Sequence, residues 1–195
     1  LGLGATERVQ SVFFTTTFAL MGYVAKSDGK VTIDEIAMAE RVMDQMRLNP
    51  QQRTVAINLF NEGKKQDFPV YEVLEQFKRE CLRRSNLIQI FLEIIVATAF
   101  ADGRLDAREK TLIEEISRNL GYSKPEFDAL ISRLSGQAHF NDSASSIEKI
   151  KASYELLGVT SKCSDIELKK AYRRQMNQHH PDKLVAKGLP EEMID

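Results

Sequence analysis

Between Leu87 and Ala101 almost every side chain is apolar, Phe91, Leu92, Ile94, Ile95, Val96 and Phe100 among them, and Glu93 is the lone charge. A helix that is apolar all round must be covered on every side. The run falls short of the roughly 17–25 residues that a membrane span requires, so it reads as a central helix buried by other parts of the chain. Glu93 then either lies on the one wet edge of that helix or needs a partner or a raised pKa to be buried.

The covering elements are helical too. Val9, Val12, Phe13, Thr16, Leu20 and Val24 recur at helical spacing, which predicts an amphipathic helix over about residues 6–26. The same period runs through Ala39, Val42, Met43 and Met46, then Ala56, Leu59 and Phe60, then Val70, Val73, Leu74, Phe77 and Cys81. It returns in Leu112, Ile113 and Ile116, and in Phe127, Leu130, Ile131 and Leu134. Helix starts are signalled by the capping boxes Thr32-x-x-Glu35 and Asp106-x-x-Glu109 and by Asn49 before Pro50. Gly63 reads as a stop, and a last helix is predicted from Ser123 or Lys124 to Leu134. No period-two alternation lasts long enough for a strand, so the predicted class is all-α. Gly136 to Ser146 is small and polar and reads as a linker. The expected organisation is a helical domain over 1–135, a linker over 136–147 and a second domain over 148–195.

The first domain is internally repeated. Asp28-Gly29-Lys30-Val31 and Glu35 fall, at one constant offset, on Asp102-Gly103-Arg104-Leu105 and Glu109. This motif, an apolar helix running into Asp-Gly with an acidic residue seven further on, resembles the TerB-like tellurite-resistance family over about residues 6–135. Asp28, Glu35, Asp102 and Glu109 are candidate oxygen ligands for a divalent cation if the two copies meet. The alternative stands beside it: Asp-Gly is a preferred turn pair, and both glutamates occupy the third position of a cap, where a carboxylate serves its own helix. The ligand spacing of an EF-hand is missing.

The second domain ends in a basic helix stopped by a rigid turn. Ser164-x-x-Glu167 is a capping box, and Lys169, Lys170, Arg173 and Arg174 follow on the predicted helix. His180-Pro181-Asp182 ends it, because Pro181 has no amide hydrogen and drives His180 out of the α region. With Ser153 to Val159 upstream in register, the segment resembles the J domain of DnaJ-type co-chaperones. The continuation from Lys183 to Met193 is similar to a membrane-anchored branch of them. The resemblance implies docking on the ATP-bound form of a DnaK-type chaperone and stimulation of its ATP hydrolysis, with no chemistry performed by the J protein itself. It implies a chaperone-binding set of His180, Pro181, Asp182, Lys169, Arg173, Lys170 and Arg174. Gln175 and His179 stand where the family pattern is apolar and aromatic. A long third helix would only be starting at Asp195, so the segment is expected to be marginal and the natural protein to continue. The branch also implies an N-terminal anchor in a bacterial inner membrane, with the domains facing the cytoplasm and a homodimer formed through the anchor.

The 195 residues carry a net charge of −1, so no global field recruits nucleic acid. Cys81 and Cys163 are the only cysteines, without CxxC or metal spacing, and read as reduced thiols. The chain opens at Leu1 rather than methionine, and Leu1-Gly-Leu-Gly precedes no strand-to-helix unit, so it is not a nucleotide fingerprint. His139 reads as solvated, and adjacent His179 and His180 diverge too far for a metal pair. No nucleophile, base and orienting group occur together, so the chain is expected to be a regulator of a partner ATPase with no cofactor, the divalent cation aside.

Overall fold

A computed structural model describes residues 3–27, 29–81, 83–101 and 103–140. They form seven helices and no strand: α1 (Leu3–Lys26), α2 (Ile33–Gln45), α3 (Pro50–Gly63), α4 (Val70–Glu80), α5 (Ser85–Ala99), α6 (Ala107–Asn119) and α7 (Lys124–Phe140). The all-α class holds among the described residues.

Two helices share the centre, where periodicity pointed to one. α5 is buried around most of its circumference, as its composition requires. α1 is not amphipathic but enclosed, with every side chain from Val9 to Met21 buried and α2, α3, α4, α5 and α6 packed around it. Two of its buried polar residues are small hydroxyls that bond to their own helix. Thr15 Oγ1 donates to the Ser11 carbonyl at 3.0 Å, and Ser11 Oγ donates to that of Arg8 at 3.1 Å. A hydroxyl satisfied in this way can enter a core without a partner on another element. Each of Phe13, Phe18, Leu20 and Met21 has no solvent exposure and contributes about 1.5–3 kcal/mol by leaving water.

α1 and α3 touch at their backbones. A Cβ added to Gly63 would stand 1.8 Å from the Ala19 carbonyl oxygen, and one added to Gly22 would stand 2.0 Å from that of Phe60. Gly63 does end α3, as expected, but it is also half of a close approach. α4 runs antiparallel to α1. Tyr23, late in α1, meets Phe68 just before α4 at 5.7 Å between ring centroids, whereas the earlier Phe13 meets Phe77, late in α4, at 6.3 Å. Phe77 also packs on Phe91 of α5 at 4.9 Å.

The repeat seen in the Asp-Gly motifs extends through three helices of each half. After α1, the Ser27 N–H donates to the Val24 carbonyl at 3.1 Å and that of Gly29 to Lys26 at 2.9 Å. After α5 the equivalent bonds are Ala101 to Thr98 at 3.1 Å and Gly103 to Phe100 at 2.8 Å. Gly29 and Gly103 sit at φ +98° and +86°, a region glycine enters freely. The turns that follow α2 and α6 match as well, with Arg47 at φ 52° where the second copy has Gly121 at 93°. Asn49 and Gln52 form a capping box for α3, and Ser123 and Glu126 form its counterpart for α7. The halves interlock: α2 and α6 each pack on both α1 and α5. α4 is the inserted element.

α7 continues through Gly136 to Phe140, beyond the end predicted at Leu134 and into the stretch read as linker. A glycine costs a helix about 1 kcal/mol relative to alanine, which is not enough to end it. His139 accordingly belongs to a helix rather than a loop.

Candidate functional sites

Each acidic turn places a glutamate on the first turn of the next helix. Thr32 caps α2, its Oγ1 accepting from the Glu35 N–H at 3.1 Å. Glu35 Oε1 in return accepts from the Thr32 N–H at 3.0 Å and from its hydroxyl at 2.9 Å. In the second copy the Asp106 carboxylate accepts from the Arg108 N–H at 2.8 Å and caps α6. Glu35 and Glu109 are only 3% and 4% exposed. Glu35 therefore does serve its own helix, and both glutamates are drawn inward, away from the exposed position usual for a first-turn carboxylate. Asp28 and Asp102 lie outside the described residues, so the four-carboxylate set is not assembled here. Among the described residues no group of three His, Cys, Asp or Glu side chains stands ready to hold a metal.

Glu93 lies on the wet edge of α5. Its side chain is 20% exposed and pairs with Arg133 of α7 at 2.7 Å, while Gln89 donates to the same carboxylate oxygen at 3.3 Å. Beside this pair an open groove of about 630 Å³ runs between α5, α7 and the turn after α6, lined by Ser85, Ile88, Tyr122, Leu130 and Arg133 among others. Burial pushes the Tyr122 hydroxyl above its usual pKa, the carboxylates of Glu126 and Glu93 add to the shift, and Arg133 opposes it. Residue patterning gave no sign of this groove, because its walls come from three separated stretches.

Cys81 closes α4 as a buried free thiol, and burial, reinforced by the nearby Glu80 charge, pushes it up to about 12. No helix among the described residues is long and apolar enough to cross a membrane.

Sequence reading also passed over a basic turn. Lys78 and Arg79 close α4 and Arg83 and Arg84 open α5, with Arg79 and Arg83 exposed and the other two half-buried. Lys169, Lys170, Arg173, Arg174, His180, Pro181 and Asp182 lie outside the described residues, as do Cys163, Gln175 and His179.

Residues 15–132 match the family described as Tellurite resistance protein TerB, and residues 152–192, which include the basic helix and the His-Pro-Asp turn, match the DnaJ domain. A helical TerB unit followed by a J domain defines a two-part J protein. Co-chaperone protein DjlA of Shewanella oneidensis is 44% identical, the match covering 99% of this chain and 74% of the relative. Its namesakes in Photobacterium profundum and Yersinia pestis are 41% and 39% identical, each over 73% of its own length. The chain belongs to the DjlA co-chaperone family. No solved structure matches it.

Proposed function

We propose that this protein is a co-chaperone whose J domain docks on the ATP-bound form of a DnaK-type chaperone and stimulates its ATP hydrolysis. The observation that carries this is the DnaJ-domain match over 152–192, with His180-Pro181-Asp182 inside it, in a chain of a co-chaperone family. Lys169, Lys170, Arg173 and Arg174 form the cationic face that steers an acidic surface of the partner, an effect felt first in association rate and salt dependence. Asp182 makes a charge-assisted bond to a partner cation beside His180, and Pro181 holds the pair rigid. Truncating one member of such a desolvated pair costs about 2–5 kcal/mol, enough to abolish a micromolar contact. His180→Gln and Asp182→Asn are each expected to eliminate stimulation in a single-turnover ATPase assay while leaving helical content unchanged; full stimulation by either refutes the proposal.

The TerB-like domain serves localisation, self-association or client capture. An anchor preceding this chain holds it at a bacterial inner membrane, facing the cytoplasm and pairing as a homodimer. A second reading, a metal-responsive or membrane-stress scaffold that uses the J domain to recruit chaperone, is favoured by the burial of Glu35 and Glu109 at equivalent places in the two repeats. In it these two glutamates join Asp28 and Asp102 around a divalent cation, a donor set suited to calcium or magnesium. Calorimetry with either ion is then expected to give heat that Asp102→Asn removes; no heat from the wild type eliminates this reading.

A further inference from the structure

From Lys78 to Ser85 the chain carries four cations against one acid, Glu80. Their placement is unequal in what it does for the fold. Lys78 and Arg79 lie in the last turn of α4, where a cation complements the negative end of the helix. Arg83 and Arg84 do the reverse. They stand at the start of α5, where the helix presents its positive end, where no side chain caps it and where no acid occupies the first turn. Two arginines there oppose the helix dipole, and a local rule broken without a structural gain points to a surface used for something else. Among the described residues no ion pair recruits any of the four, although four other pairs form there.

The second observation is where this turn lies. Because α4 runs antiparallel to α1, the chain beyond Phe77 moves past Phe13 toward the start of α1. The basic turn thus lies alongside the first half of α1, on the side from which the chain enters it.

We infer that the turn Lys78–Arg84 is a docking surface for an anionic lipid bilayer, holding the entry end of α1 against the headgroups. This rests on the membrane reading above and deepens it, since a preceding anchor would deliver that end to the bilayer. Charge complementarity selects the lipid. Each Lys or Arg within a Debye length of an anionic surface contributes about 1 kcal/mol, a factor of about five in partitioning.

The test is co-sedimentation of the 195-residue chain with vesicles of phosphatidylcholine alone or mixed with phosphatidylglycerol at low ionic strength. The wild type is compared with a variant carrying Lys78→Gln, Arg79→Gln, Arg83→Gln and Arg84→Gln. Binding is expected only to the phosphatidylglycerol vesicles, weakening with salt and falling about five-fold for each cation removed. Should the fourfold variant lose its helical circular dichroism, Arg83→Gln with Arg84→Gln alone is expected to give a drop of about 25-fold. The basic run Lys169–Arg174 is intact in every protein compared, so only the difference reads the turn. Equal binding by wild type and variant overturns the proposal, as does no binding by either. Binding of the turn to polyglutamate with vesicles ignored also overturns it, in favour of an acidic protein. ATPase stimulation measured without vesicles keeps the two readings apart: a chain that needs the turn for lipid yet leaves the chaperone unmoved sinks the co-chaperone role and not the surface.

Discussion

Cys81 has no exposed surface, and its thiol is pushed from 9.0 up to about 12. Below about 9 the folded and unfolded chains both hold the proton, and the thiol favours neither. As pH rises from there toward 12 the unfolded chain gives up its proton while the folded one keeps it, so stability falls with pH, by at most about 1.4 kcal/mol per unit from this group. Urea unfolding at a series of alkaline pH values is expected to show the wild type losing stability faster than Cys81→Ala over that window. A parallel decline would mean the thiol is open to water in the folded state. The sequence reading of Cys81 as a reduced thiol rested on the lack of CxxC or metal spacing, and its place on the inner stripe of α4 on the period of its neighbours. Its extreme burial depends on the charge and packing around it, which the period does not report.

At the level of helices, Gly63→Ala sets a methyl against the Ala19 carbonyl with backbone on both sides, so nothing flexible can yield. Overpacking of this kind costs about 1–3 kcal/mol or more. Gly136→Ala, in α7 with nothing within 4 Å of the added carbon, is expected to gain up to about 1 kcal/mol instead. Denaturant midpoints that move in opposite directions for the two substitutions would bear this out; a neutral Gly63→Ala would show that α1 and α3 can separate without loss. Both glycines were visible as helix punctuation, and neither reading was complete. A close approach depends on what lies opposite, here the Ala19 carbonyl, and that contact joins remote parts of the chain. The enclosure of α1 escaped notice for a related reason. Ser11 and Thr15 look like a wet face until their hydroxyls are allowed to bond to their own backbone.

For the molecule as a whole, duplication was the most legible feature, because Asp-Gly followed by a glutamate fixes a turn and a helix start together. What the offset did not reveal is the interlocking of the halves, in which the second helix of each packs on the first helix of both. That arrangement comes from tertiary packing and leaves no mark in local pattern. The J domain was legible for the opposite reason: a capping box, a basic helix and a proline-stiffened turn in register are local, and the DnaJ-domain match spans them. Enclosure of the first helix also has a consequence in time. Leu3–Lys26 leaves the ribosome ahead of every helix that covers it, and the last of these, Ala107–Asn119, follows roughly 5–19 s later at about 5–20 residues per second. For that interval a helix whose side chains from Val9 to Met21 are all buried in the folded protein waits half-clothed, so a protein of a co-chaperone family begins life in the condition that chaperones exist to relieve.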